Sequence, residues 1–383
     1  TYSNGKIYHS IRSQPKTEKN PEFQNWGSRG GVGSKPPQKL IPTTPFGNHP
    51  LMDWGVWPDN NDDSTKGDFD VASQAVEMIK NMPKDKPFFL AAGFFLPHVP
   101  CYATQKWFDL YPDNESVLPP MPEGDRDDTP RSSWWIHWKL PEPRQRWLDE
   151  NDQQINLVRS YLASTSFVDN QVGRILKALD DAGLQDDTIV VLWSDHGYHL
   201  GEKSITGKNT LWRNSTRVPL IFAGPGVPTG QTVVEPAELL DIYPTICDLL
   251  KLDPPSHKLQ GLSLLPQIND PATPREQPAI TTHGAHNHGV RTKDWRYIRY
   301  ADGSEELYHH PKDPHEWHNL LAPSIVTEAF KKKASSLAKF LPEDNRPPAP
   351  GSAARIITYD PEIKAVFWEG KPIEKGAPIP EIE

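Results

Sequence analysis

Apolar residues recur at helical spacing between residues 69 and 82, where Val71, Ala75, Met78, Ile79 and Met82 form one stripe before Pro83. This spacing predicts a helix that the proline ends. A longer stripe, from Leu157 and Val158 through Val168, Val172 and Ile175 to Leu179, predicts a helix over residues 152–181 with Gly183 as its stop. Short unbroken apolar runs at 88–95, 188–193 and 219–223 read as buried strands, and residues 237–250 read as a helix with Pro244 as a kink. Further along, strand patterns at 279–282, 289–292 and 295–300 predict an antiparallel sheet, followed by a helix over 324–341.

The rest of the chain lacks periodicity. Residues 10–64 and 111–150 are rich in Pro, Gly, Asn and Trp and read as long loops. The second contains Trp134, Trp135, His137 and Trp138, which read first as packing groups and second as a platform for sugar rings. These patterns divide the chain into a large α/β domain over 1–268, a smaller α+β domain over 269–341, and a Pro-rich tail over 342–383 that wraps or dangles.

Composition narrows the function. A formal charge of −9 excludes a phosphate-backbone binder as the main reading, so nucleic acid is not an expected partner and an anionic ligand needs a local cluster of cations. Forty-one Pro and thirteen Trp suggest ordered loops over a core. Two distant Cys give no disulfide framework, and the longest apolar run, 87–97, is too short to cross a bilayer.

Candidate chemistry sits where strands end. Ser194-Asp195-His196-Gly197 follows an apolar strand, and Lys208 lies downstream before Arg217-Val218-Pro219. A carboxylate with an imidazole suits a divalent cation, and an ammonium nearby suits an anion resting on it. Taken alone, Asp-His-Gly is an ordinary turn. Three more segments change that weighting: Gly5-Lys6-Ile7-Tyr8-His9, Pro97-His98-Val99-Pro100, and the late Glu306-Leu307-Tyr308 with Asp313-Pro314-His315-Glu316-Trp317-His318-Asn319-Leu320.

In that order, the segments resemble those of the sulfatases of the alkaline-phosphatase superfamily, the iduronate-2-sulfatase type in particular, over residues 1 to about 321. The resemblance implies a large mixed sheet flanked by helices, with a smaller C-terminal α+β domain. It implies that Asp195 and His196 complete a Ca²⁺ or Mg²⁺ site, with His196 alternatively bonding substrate or a ligand carboxylate. Lys208 and His98 are implied to grip the sulfate, and Lys6 and His9 to contact a formylglycine, the hydrated aldehyde nucleophile. The implied partner is a sulfated sugar or small sulfate ester, and the implied location is periplasmic, secreted or lysosome-like. All these side chains are expected to converge on one tetrahedral oxyanion.

The same resemblance requires a Cys-x-Pro-x-Arg or Ser-x-Pro-x-Arg segment, and none is present: Cys101 is followed by Tyr102-Ala103-Thr104 and Cys247 by Asp248-Leu249-Leu250. The family's paired Asp near its amino terminus is missing too. The expectation is therefore a chain lacking an N-terminal segment and inactive by itself. A phosphomonoester or phosphonate hydrolase and an anion-binding pseudoenzyme are the alternatives. Asn287, His288 and Arg291, near the His283-to-His288 run, are the candidate substrate-binding residues of the second domain, since a second domain often roofs such a cleft. Zinc is disfavoured there, because the run has no helical i, i+4 pair and no thiolates.

Overall fold

The computed structural model describes residues 1–8, 22–33, 53–57, 61–83, 85–137, 142–253, 255–345, 357–368 and 370–374. His9 and Trp138 lie outside the described residues, as does most of the predicted loop 10–64. The chain divides into two compact units, Thr1–Pro119 with Pro141–Thr188, and Pro120–Leu140 with Ile189–Glu383.

The first unit carries five strands: β1 (Tyr2–Gly5), β2 (Asn25–Trp26), β3 (Trp54–Trp57), β4 (Leu90–Gly93) and β5 (Cys101–Thr104). They pair in parallel, in the order β2-β1-β4 and as the pair β3-β5. Parallel strands need long connections. The helix Gly67–Lys80 lies in the one between β1 and β4, burying Val71, Ala72, Ala75 and Ile79 as its apolar stripe requires. The long helix is Gln154–Asp181, and Gly183 follows it at φ 66 while Leu184 N donates to Leu179 O at 2.9 Å, the left-handed stop expected. Arg174 ties the two helices, its guanidinium 4.0 Å from the Phe69 ring and its Nη2 donating to Ser73 Oγ at 2.7 Å. Two segments read as loop, 25–26 and 54–57, are strands, because a short run rich in Trp is stabilised by its neighbours and carries no period of its own.

In the second unit, β6 (Val190–Trp193) and β7 (Leu220–Ala223) form an antiparallel pair. Pro244 does not kink a helix: it sits in the first turn of Ile242–Leu250, where its missing N–H has no intrahelical partner to lose. The four-stranded antiparallel sheet has the order β11-β10-β9-β8, from β8 (Ala279–Thr282), β9 (His288–Arg291), β10 (Trp295–Arg299) and β11 (Glu305–His309). The helix Glu328–Ala338, capped by Thr327 Oγ1 on Phe330 N, buries Ala334 and Leu337 against Val290, Tyr297 and Leu307. The tail does not dangle where it is described. β12 (Ile357–Asp360), β13 (Ala365–Trp368) and β14 (Lys371–Pro372) form a small sheet, and Ile357, Val366, Trp368 and Ile373 join Trp212, Tyr300 and Tyr308 in the core. Trp134 packs under the Arg126 guanidinium at 3.2 Å, and His137 Nε2 lies 3.0 Å from Arg126 Nη1, so both serve the core.

Candidate functional site

In the first unit, β1 delivers Lys6 and β4 delivers His98. Gly5, at φ +81, faces Gly93 so closely that a Cβ on it would lie 1.9 Å from Gly93 O. Only glycine permits that approach. Lys6 N then donates to Gly93 O at 2.7 Å, and the Lys6 ammonium lies 5.4 Å from the centre of the Phe95 ring. His98 stands on the same residue, with ring centres 4.9 Å apart and its N–H donating to Phe95 O at 3.0 Å. Its Nδ1 lies 2.7 Å from Val99 O; a carbonyl can only accept, so the Nδ1 proton is fixed there. The structure thus gathers Lys6 and His98 about Phe95.

Sequence reasoning missed the residue that holds this turn. Asp68, in the first turn of Gly67–Lys80, is fully buried and accepts from Phe95 N and Leu96 N at 2.8–3.0 Å. Burial pushes its carboxyl up to about 6, opposed by those backbone N–H groups and by Lys6. The available signal was its place three residues before Val71, on the apolar stripe.

In the second unit, β6 ends into Ser194-Asp195-His196-Gly197. Ser194 Oγ donates to His196 O at 3.0 Å, and Gly197 N donates to Ser215 O at 2.8 Å. A Cβ at Gly197 would lie 1.9 Å from Asn214 O, so this turn excludes every other residue. His196 Nδ1 lies 2.8 Å from Gly197 O and its Nε2 2.9 Å from Lys208 Nζ. An ammonium can only donate, so Nε2 accepts, Nδ1 carries the proton, and the ring is neutral. Asp195, with a side chain 71% exposed, places Oδ2 3.6 Å from the same Nε2. Asp195, His196 and Lys208 therefore stand in one short row.

As a cation site this row is incomplete. A hard divalent cation takes six to eight oxygen ligands or retains several waters, and both His196 nitrogens already face polar partners. Among the described residues, no group of three His, Cys, Asp or Glu side chains is placed to hold a metal ion.

The three substrate-binding candidates lie in and beside β9 of the second unit. Asn287 is buried, donating to Ala285 O at 3.1 Å and accepting from Ala301 N at 3.0 Å. His288, also buried, has Nδ1 2.9 Å from Thr282 Oγ1 and Nε2 2.8 Å from Asn345 Oδ1. Arg291 Nη1 donates to Thr292 O, and burial pushes its guanidinium down to about 10. Each is bonded within the small sheet and its surroundings.

A buried ionic knot, unread in the sequence, adjoins the Lys208 loop. Glu316 accepts from Arg296 Nε at 2.5 Å and Arg213 N at 2.7 Å, with His310 Nε2 at 2.7 Å. Burial alone would raise its carboxyl; Arg296 and His310 outweigh that and hold it well below the usual carboxylate range. Lys203 Nζ donates to Glu316 O at 2.6 Å and to Asp125 Oδ1 at 2.9 Å. The late Asp-Pro-His-Glu segment was its only trace in the sequence.

The model of the Sulfatase family matches residues 2–252, and that of the N-sulphoglucosamine sulphohydrolase C-terminal family matches 201–341. The chain belongs to the sulfatase family. It is 39% identical over 309 residues to a sulfatase of Formosa agariphila, covering 81% of this chain and 59% of that protein. It is 31% identical to human iduronate 2-sulfatase, covering 50% of this chain and 41% of that one. The chain thus spans about half the length of the curated relatives it matches. Among solved structures, a complex with D-glucosamine-2-N,6-O-disulfate as its substrate aligns at a TM-score of 0.62 and 21% identity, over 88% of this chain and 77% of that one. That likeness establishes the fold, and the sulfatase α/β architecture with its C-terminal sulfatase domain is the one expected.

Proposed function

We propose that this sulfatase serves the hydrolysis of a sulfate ester on a sulfated carbohydrate, in the manner of the iduronate-2-sulfatase type. The observation that carries the reading is the Lys208-His196-Asp195 row at the end of β6, inside the span that matches the family. Relatives named for sulfated sugars support the substrate class.

Cleaving a sulfate monoester needs charge neutralisation on the nonbridging oxygens, a proton for the departing alcohol, and a nucleophile at sulfur. Lys208 supplies the first two: its ammonium faces the sulfate, and His196, accepting from it, orients the donor. His98, which stands with Lys6 about Phe95 in the first unit, has its Nδ1 proton on Val99 O and would donate to a sulfate oxygen only as the imidazolium. Lys6 and His9 would handle the protons of a formylglycine hydrate if one were supplied. These 383 residues hold no Cys-x-Pro-x-Arg or Ser-x-Pro-x-Arg segment, so such a nucleophile would have to be supplied from outside them. Asp195 would offer one carboxylate to a Ca²⁺ or Mg²⁺ ion, which when bound would neutralise sulfate charge. No helix among the described residues is long and apolar enough to cross a membrane, and a periplasmic, secreted or lysosome-like location fits an enzyme of extracellular saccharides.

The test compares two proteins, the 383-residue chain and a longer product carrying a Cys-x-Pro-x-Arg segment, on 4-methylumbelliferyl sulfate, its phosphate counterpart and 2-O-sulfated uronate disaccharides. The chain alone is expected to bind inorganic sulfate without turnover, and the longer product to release sulfate in preference to phosphate. Preferential phosphate release by the longer product would move the assignment to a phosphomonoester or phosphonate hydrolase.

A further inference from the structure

The loop that presents Lys208 is folded back on itself around one imidazole. His199 N donates to Gly207 O at 2.8 Å and Gly201 N to Ile205 O at 2.8 Å, so residues 199–201 run beside 205–207 and Lys208 stands at the exit. The His199 ring, 1% exposed, fills the interior of this fold, edge-on to Trp212 at 6.2 Å. Its Nδ1 lies 3.1 Å from Glu202 O at the bend, and its Nε2 lies 3.0 Å from Thr210 Oγ1 at the exit. Thr210 is buried as well, bonds Ser215 Oγ at 2.8 Å, and donates its backbone N–H to Lys208 O at 3.0 Å.

We propose that His199 is a positioning residue for the reaction: through Thr210 it fixes where the Lys208 ammonium stands against His196. The inference rests on reading Lys208 as the sulfate-binding cation. The two ends of the imidazole do different work. The Nδ1–H donates to a backbone carbonyl and holds the bend, whereas Nε2 pairs with the Thr210 hydroxyl and sets the residue two positions from Lys208. A protonated ring would reverse the second bond, because both nitrogens would then donate and the Thr210 hydroxyl would have to accept. Burial keeps the ring neutral, pushing its pKa down to about 3. Loop sequence alone cannot fix a long, flexible ammonium, since Lys carries large rotamer freedom that packing must restrain.

The two ends can be separated. His199→Asn retains a donor near Nδ1 and loses the reach to Thr210, and His199→Gln retains the reach to Thr210 and loses the bend contact. Thr210→Val removes the partner of Nε2 without touching His199. The readout is the reactivity of Lys208 toward acetic anhydride at near-neutral pH, measured by peptide mass spectrometry on the full chain with exposed lysines as internal standards. This reports the ammonium's surroundings whether or not sulfate binds. His199→Asn and Thr210→Val are expected to raise Lys208 labelling about five- to tenfold, the scale of one lost hydrogen bond, and His199→Gln to stay within about twofold of wild type. Equal labelling in all three variants, raised or not, would overturn the inference, since a merely structural histidine would not distinguish its two ends. Inorganic sulfate titrated into the wild-type chain tests the other reading separately: no binding alongside the expected labelling pattern contradicts the reading of Lys208 as a sulfate-binding cation while supporting the placement of its ammonium by His199.

Discussion

The sheet β8–β11 has two faces built on opposite principles. One presents Val290, Tyr297 and Leu307 to Ala334 and Leu337 of the helix Glu328–Ala338, an apolar contact that any set of side chains of the right size and shape could make. The other presents Arg296, Glu306 and Tyr308. There Glu306 accepts from Trp212 Nε1 at 2.7 Å, Tyr300 OH at 2.6 Å and Tyr308 OH, while Arg296 holds Glu316 and donates Nη1 to Leu211 O at 3.1 Å. Successive residues alternate between these faces because side chains alternate along a strand. Non-directional burial gives the first face its stability. Directional bonds give the second its register, and its partners, Leu211, Trp212 and Arg213, follow Lys208 closely. The apolar face holds the unit together, and the polar face decides where the loop stands.

Breaking the polar face has the largest expected effect. Glu316→Ala leaves Arg296 buried without its carboxylate and is expected to cost about 3–5 kcal/mol of unfolding free energy. It is also expected to weaken sulfate binding, and both are measurable by chemical denaturation and calorimetry. Leu307→Ala removes buried apolar volume on the other face, with an expected cost of about 2–5 kcal/mol and sulfate affinity unchanged in the folded fraction. Comparable losses of sulfate affinity in the two variants would erase the distinction drawn between the faces.

Much of this was legible in the chain, for physical reasons that differ by element. The helices Gly67–Lys80 and Gln154–Asp181 announce themselves because one face of each is buried by a local, periodic pattern. β11 does not: Glu-Glu-Leu-Tyr-His reads as polar, since its inward Glu306 and Tyr308 are satisfied by groups remote in sequence. The small sheet of the tail escaped notice for a similar reason, its apolar residues finding partners around Trp212 and Tyr300. At the site, the residues at strand ends were legible as motifs. Asp68, His199 and Glu316 were not, because a buried polar group is explained only by its partners. Those of Glu316 come from three different segments, at Arg213, Arg296 and His310.

A smaller effect sharpens the comparison through pH. The Glu316 carboxyl is held below its ordinary value of 4.5, so the unfolded chain takes up its proton first as pH falls. Its stabilisation is fully present above about pH 5 and is lost below, so wild type and Glu316→Gln should converge in stability as pH drops from 5 toward 3. The gap between wild type and Leu307→Ala is expected to stay constant over the same range, measured by urea denaturation at each pH.

The account turns on the Lys208 ammonium being a sulfate-binding cation, and the most direct measurement is calorimetric titration of inorganic sulfate into the wild-type chain and into Lys208→Ala. The predicted result is saturable binding that weakens about tenfold or more in the variant, with little change in melting temperature, as expected for removing one charge-assisted contact. Equal affinity in the two proteins would contradict it.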